Sequence, residues 1–239
     1  MTVRPLELHH LRPWQRRALS WLALVCAAAF VLLAVEAASE GASDVDQAVN
    51  SFMRWERTRE VERAMRGISL LGSGYVLLPL TCVLSAVLHR HHVRLALMAP
   101  AVAGGAIVLE TLAKVVTDRD RPNTVPYSYP SAHVLGAVVF LGMLVYVLYA
   151  LARRARWWRG TAVVSIVAIV AIAYSRLYVN AHWLSDVVGG IAGGLAYVLL
   201  VVLLLDTRMR SDRRGASTWP PMPPDAASAA KPRRSSILR

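Results

Sequence analysis

HVLGAVVFLGMLVYVLYAL, residues 133–151, holds one readily protonated side chain, the histidine at its first position, followed by eighteen uncharged residues. A helix of roughly 20 apolar residues, rising about 1.5 Å per residue, spans a hydrocarbon core about 30 Å thick. The stretch therefore reads as a membrane-crossing helix with a histidine at one mouth. Five comparable runs lie outward from it, at 95–116 and 68–88 on one side, 161–179 and 187–205 on the other, with 18–38 farthest away. The predicted fold class is an all-α bundle of six transmembrane helices. The composition agrees, because 56% hydrophobic residues and a mean hydropathy of +0.43 exceed what an ordinary soluble domain carries.

The net charge of +12 is distributed along the chain in a pattern that argues against nucleic acid as its partner. Arg12, Arg16 and Arg17 precede the first run, Arg90 and Arg94 join the second to the third, Arg153, Arg154, Arg156 and Arg159 join the fourth to the fifth, and Arg208 and Arg210 follow the sixth. Arginine-rich loops stay in the cytoplasm, so both termini are expected inside and the other three loops outside. The expected domain layout is a cytoplasmic segment at 1–17, a six-helix membrane unit at 18–206 with an exported loop at 39–66, and a disordered basic cytoplasmic tail at 207–239. A cleaved signal peptide is an alternative for the first run, with Arg16 and Arg17 before it and Ala37-Ala38-Ser39 at its exit. The exported loop spaces Val45, Val49, Phe52, Met53, Val61 and Met65 as a surface-lying amphipathic helix or helical hairpin would, and a polar linker helix with a solvated face accounts for the pattern equally well. Cys26 and Cys82 sit inside apolar runs as packing residues, and the paired glycines at 104–105, 189–190 and 193–194 suit close helix approach.

Against this topology the ionisable residues segregate. Lys114, Asp118, Arg119, Asp120, Arg121, His133, Arg176, His182 and Asp186 all fall at the outward ends of the last four helices. Charged groups near membrane depth are costly unless paired or wet, so such a cluster marks a functional site by default. Lys114 and Arg121 are seven apart and converge on one face if their helix continues to Pro122. His182 and Asp186 are four apart, which lets the carboxylate hold one ring nitrogen, either to orient the imidazole or merely to cap a helix.

Three stretches carry a family resemblance. KVVTDRDRP at 114–122, PSAH at 130–133 and SRLYVNAHWLSD at 175–186 resemble, in order, the signature motifs of the type 2 phosphatidic acid phosphatase superfamily, the membrane lipid phosphate phosphatases. That resemblance implies a phosphohistidine route without metal or cofactor. His182 is the implied nucleophile, Asp186 its orienting carboxylate and His133 the general acid. Lys114, Arg121, Ser131, the backbone at Ala132 and Arg176 are the implied phosphate-binding groups. Ala132 stands where the motif usually has glycine, which a methyl group allows only at negative φ. The implied partners are a lipid or polyprenyl phosphate and the bilayer of the cell membrane, with the site facing outward. Which lipid, mono- or diphosphate preference and oligomeric state are not written in these residues. A membrane transporter, an inactive lipid-phosphate-binding relative and a vanadate-dependent haloperoxidase are the competing readings.

Overall fold

The computed structural model describes residues 10–39, 41–55, 57–90, 93–151 and 155–217, with side chains as far as 208. The chain forms α1 (Pro13–Ser39), α2 (Asp44–Trp55), α3 (Arg59–Leu70), α4 (Gly74–His89), α5 (Val93–Thr117), α6 (Ala132–Leu151), α7 (Ala155–Tyr178) and α8 (Leu184–Ser217). Six spans are long and apolar enough to cross a membrane: α1, α3 with α4, α5, α6, α7, and α8 as far as Arg208. The all-α six-span bundle expected from the apolar runs is the observed fold.

The opening stretch becomes the centre of the bundle. α6 packs against α7 and α8, and on its other side against α5 and α4, while α1 lies along α8. Val134, Leu135, Ala137, Val138 and Val139 are accordingly buried, whereas Trp21, Leu32, Val83, Val116 and Val164 on the peripheral helices are exposed, as lipid-facing residues should be. The glycine pairs of α8 let it approach α6 closely. A Cβ at Gly190 would lie 2.9 Å from the Ser131 carbonyl oxygen, and one at Gly194 would lie 2.8 Å from Val138. Only a bare backbone lets α8 seat against the start of α6 at this distance. α1 is tied in by the Tyr129 hydroxyl, which donates to the Phe30 carbonyl at 2.5 Å.

Three boundaries differ from the sequence reading. The run at 68–88 is not one helix, since a turn at 71–73 divides α3 from α4. A Cβ at Gly72 in that turn would meet the His133 carbonyl oxygen and Ile172 Cγ2, each at 2.8 Å, so the break lets the chain pass against α6 and α7. α5 stops at Thr117, close to the end of the 95–116 run, and the continuation to Pro122 that would put Lys114 and Arg121 on one helical face does not occur, because Asp118 takes a left-handed φ of 42° and turns the chain out of the helix. Arg121 therefore arrives on a loop, not two turns along the helix from Lys114. Finally, α8 runs on to Ser217, so a tail beginning at 207 starts too early, and 218–239 lie outside the described residues. The segment between the first two apolar runs folds as a helical hairpin, α2 and α3. Asn50 Nδ2 donates to Asn180 Oδ1 at 2.6 Å, and the Thr58 N–H donates to the Tyr178 hydroxyl at 3.0 Å, which holds the hairpin over the turn between α7 and α8.

Candidate active site

The α7–α8 turn delivers His182, and the first turn of α8 delivers Asp186. Asp186 Oδ2 accepts the backbone N–H of Trp183 at 2.8 Å, as an acidic residue at the third helical position does in a capping box. The same oxygen faces His182 Nδ1 at 3.4 Å and accepts the Ser128 hydroxyl. The pair thus caps the helix and orients the ring at once. Both side chains are buried. Burial pushes the His182 imidazole down to about 4, against the upward pull of Asp186 and with further lowering by Arg176 and Arg121. The ring is neutral at physiological pH, with Nδ1 engaged by the carboxylate and Nε2 left for chemistry.

His133 occupies the first turn of α6, within electrostatic reach of His182, Arg176, Lys114 and Arg121. Arg121 comes from the loop between α5 and α6, where its own N–H donates to the Val125 carbonyl at 2.8 Å and shapes a tight turn. Arg176 comes from the end of α7, and its Nη1 donates to Ser69 Oγ of α3 at 2.5 Å. Ser131 precedes α6, its N–H donating to the Asp186 carbonyl at 3.0 Å and its carbonyl accepting the Leu135 N–H at 2.9 Å. Among the described residues Ser131 Oγ, Arg121 Nε and Arg176 Nε, like Arg119 Nε, are buried without a hydrogen-bond partner. Buried donors are seldom left so, and a cluster of them suits a multiply charged oxyanion.

Two of the expected groups need comment. Ala132 is the first residue of α6 and is not among the residues with positive φ, so its methyl group fits without strain and its N–H lies at a helix N-terminus, where anions are favoured. Lys114 is on the correct side of the bundle, but its ammonium is held by Glu110 at 2.6 Å, one turn back on α5. Glu110 in turn lines a cavity of about 160 Å³ together with Ala132 and His133. From these residues the cavity runs between α4, α5 and α6 along Leu77, Val102, Val139 and Met143. Leu78 and Ile107 on its wall are about half exposed, so it opens sideways between α4 and α5.

Several participants were not assigned a role from the sequence. Arg119 and Asp186 form an ion pair at 3.0 Å and Arg119 and Asp46 another at 2.6 Å, all three side chains being buried. Ser128 and Ser185 join this group through hydrogen bonds, and Ser69 accepts from Arg176. Asp46 is held below the ordinary carboxylate range: burial alone would raise it, but the hydrogen bonds from Ser185 and Arg119 prevail.

Residues 103–210, which include every one of the expected site residues from Lys114 to Asp186, match the family model described as PAP2 superfamily. Over that segment the chain is similar to the PAP2 superfamily, as its three motifs are. It is 26% identical over 180 residues to phosphatidylglycerophosphatase B of Bacillus subtilis, covering 72% of this chain and 89% of that one. It is 30% identical over 136 residues to an undecaprenyl-diphosphatase of Sulfolobus acidocaldarius, covering 52% of this chain and 60% of that one. Among solved structures, the transmembrane PAP2-type phosphatidylglycerolphosphate phosphatase of Bacillus subtilis superposes with a TM-score of 0.71 at 23% identity, over 79% of this chain and 97% of that one. That likeness establishes the shared fold. Asp46 and Ser69 lie outside the PAP2 match.

Proposed function

We propose that this protein is a PAP2 lipid phosphate phosphatase working through a phosphohistidine on His182. The observation that carries the reading is the meeting of a neutral, carboxylate-held imidazole with three buried donors, Ser131 Oγ, Arg121 Nε and Arg176 Nε, that have no partner among the described residues. His182 Nε2 attacks phosphorus, and the bond from phosphorus to the lipid oxygen breaks. His133 gives its proton to that oxygen, so the leaving group departs as a neutral alcohol from a monoester. The phosphate's own charge, once seated, favours the protonated ring of His133. Water then attacks the phosphohistidine with His133 taking a proton from it, which regenerates His182 and releases inorganic phosphate. Arg121, Arg176, Ser131 Oγ and the Ala132 N–H stabilise the charge spread over the transferring oxygens, and Lys114 joins them on exchanging Glu110 for phosphate.

The apolar cleft beside His133 and Glu110 supports a substrate whose tails remain in lipid while its headgroup enters the site. The curated relatives, one named for phosphatidylglycerol phosphate and one for undecaprenyl diphosphate, support the same class. A transporter draws no comparable support, because α8 carries no charged residue between Asp186 and Asp206. The membrane phosphatase unit is placed at 18–206, with both termini in the cytoplasm and the site outside, on the arginine pattern.

Purified protein in detergent, given a panel of lipid phosphates, should release inorganic phosphate in excess EDTA and be inhibited by vanadate. Absence of release from every lipid, or complete loss in the chelator, would sink the reading. A cysteine reporter at Asn123 should label from outside intact cells, and labelling only after permeabilisation would reverse the orientation.

A further inference from the structure

Two carboxylates and one guanidinium are buried together behind the nucleophile, and no step of the mechanism above uses the guanidinium. Arg119 Nη1 donates to Asp186 Oδ1 at 3.0 Å and to Ser185 Oγ at 2.7 Å, while Nη2 donates to Asp46 Oδ2 at 2.6 Å. Asp46 is held from the opposite side, its Oδ1 accepting the Ser185 N–H at 2.9 Å and its Oδ2 accepting the Ser185 hydroxyl at 2.6 Å. Arg119 also lies over the Trp183 ring, 5.9 Å from its centroid. Charges this deep persist only with good partners, and a planar fork bridging two carboxylates is a geometry lysine does not reproduce.

We infer that Arg119 is a positioning residue for the nucleophile, and that Asp46, on α2 and outside the PAP2 match, anchors it. By engaging Oδ1, Arg119 fixes the rotation of the Asp186 carboxylate, so that Oδ2 alone is presented to His182 Nδ1. Without that engagement the carboxylate is held through Oδ2 alone, by the Trp183 N–H and the Ser128 hydroxyl, and the ring it orients loses part of its aim. Arg119 also offsets the negative charge that Asp186 places against the imidazole. The inference rests on the phosphohistidine reading of His182.

Its electrostatic consequence has two opposite signs. The charged or titratable groups around His182 are Asp186 on α8, Arg119 and Arg121 on the α5–α6 loop, Arg176 on α7, His133 on α6 and, through Arg119, Asp46 on α2. Loss of the Arg119 charge leaves Asp186 less balanced, which favours a protonated ring and moves the acid limb of kcat/KM upward. Loss of the Asp46 charge returns more of the guanidinium to Asp186 and moves the limb downward. A simple packing defect has no reason to shift the two variants in opposite directions.

The test uses the full-length protein in detergent with p-nitrophenyl phosphate, whose leaving group needs little help from His133. Rapid quench at alkaline pH first asks whether wild type retains labelled phosphate. No label there defeats the phosphohistidine reading itself, and with it the premise of the inference. With label present, Arg119→Gln should lower kcat about 10²-fold, the loss expected for a reacting group misplaced by about 1 Å, with KM within about threefold. Its acid limb should rise by about one pH unit and that of Asp46→Asn should fall, while Arg119→Lys, keeping the charge without the fork, should hold the limb and recover only part of kcat. Should Arg119→Gln not fold, Asp46→Asn and the milder Ser185→Ala decide alone. Unchanged kcat and limb in those two, limbs moving in one direction, or a raised KM with intact kcat would each overturn the inference, the last by placing Arg119 on the phosphate.

Discussion

α8 buries an aspartate near each end of its membrane span, and the two are built alike up to a point. Asp206 accepts Arg16 Nη1 at 2.8 Å and the Leu11 N–H at 3.0 Å, just as Asp186 accepts Arg119 at 3.0 Å and the Trp183 N–H at 2.8 Å. Each carboxylate also faces a histidine, His10 Nδ1 at 3.3 Å in one case and His182 Nδ1 at 3.4 Å in the other. The difference lies in the surroundings. Asp206 fastens the segment before α1 to the end of the bundle, with His10 and Arg16 both partly exposed. Asp186 holds a fully buried ring beside donors whose capacity the protein leaves unused. Unpartnered polar atoms alone do not separate the two, since His10 Nε2 and the Tyr146 hydroxyl near Asp206 are also left without partners among the described residues. At Asp186 the ring is fully buried and the unused donors beside it include guanidinium nitrogens, which is what makes that clasp a candidate site.

The sharpest way to break the comparison is to remove the two histidines. His182→Ala should lower phosphate release more than about 10⁴-fold with every substrate, since no covalent intermediate can form, whereas His10→Ala should leave turnover within about twofold. Comparable losses in both would erase the distinction. The pH profile should also set the two apart. Because His182 sits near 4 in the folded protein and near its ordinary 6.5 when unfolded, the nucleophile stays neutral, and kcat/KM should keep its His182-dependent value, down to about pH 4. The stability linked to this ring is full above 6.5 and falls as pH drops from 6.5 towards 4, where only the unfolded chain takes up the proton. A His182-dependent limb at the ordinary histidine value would contradict the burial of the ring.

A third expectation exchanges the readout. Asp206→Asn should lower stability by about 2 kcal/mol, less than breaking a fully buried pair because Arg16 is partly exposed, and should leave kcat of the folded fraction unchanged. A thermal shift in detergent and an assay on the same sample would measure both. The smallest effect concerns Glu110→Gln, which releases the Lys114 ammonium to the phosphate and should lower KM by about two- to threefold. A raised KM would mean that Glu110 itself helps to hold the substrate.

The spans were legible because an apolar run of membrane length has few competing explanations, and the candidate site was legible within 114–186 because its spacing survives in local sequence. Asp46 was not legible. It lies in DVDQAVNSFMRW among charges that read equally well as a solvated helix face, and its partner Arg119 is 73 residues away. Ser69 and Gly72 were hidden for another reason, since they fall within the run read as one continuous span, and only the turn at 71–73 reveals that the chain breaks there to meet His133 and Arg176. Lys114 shows the reverse error. Its spacing from Arg121 gives convergence only if the helix continues, and the left-handed turn at Asp118 ends it, so Arg121 arrives on a loop.

The sideways opening between α4 and α5 bears on what concentration means for such a protein. A lipid reaching His133 along Leu78 and Ile107 travels within one leaflet and never crosses bulk water, and its dephosphorylated product can withdraw by the same route. Encounter then becomes a two-dimensional search, governed by the mole fraction of substrate in the membrane and not by its amount per unit volume. Diluting the substrate with inert lipid at fixed total substrate would slow turnover, while diluting the whole suspension with buffer would leave turnover per molecule unchanged.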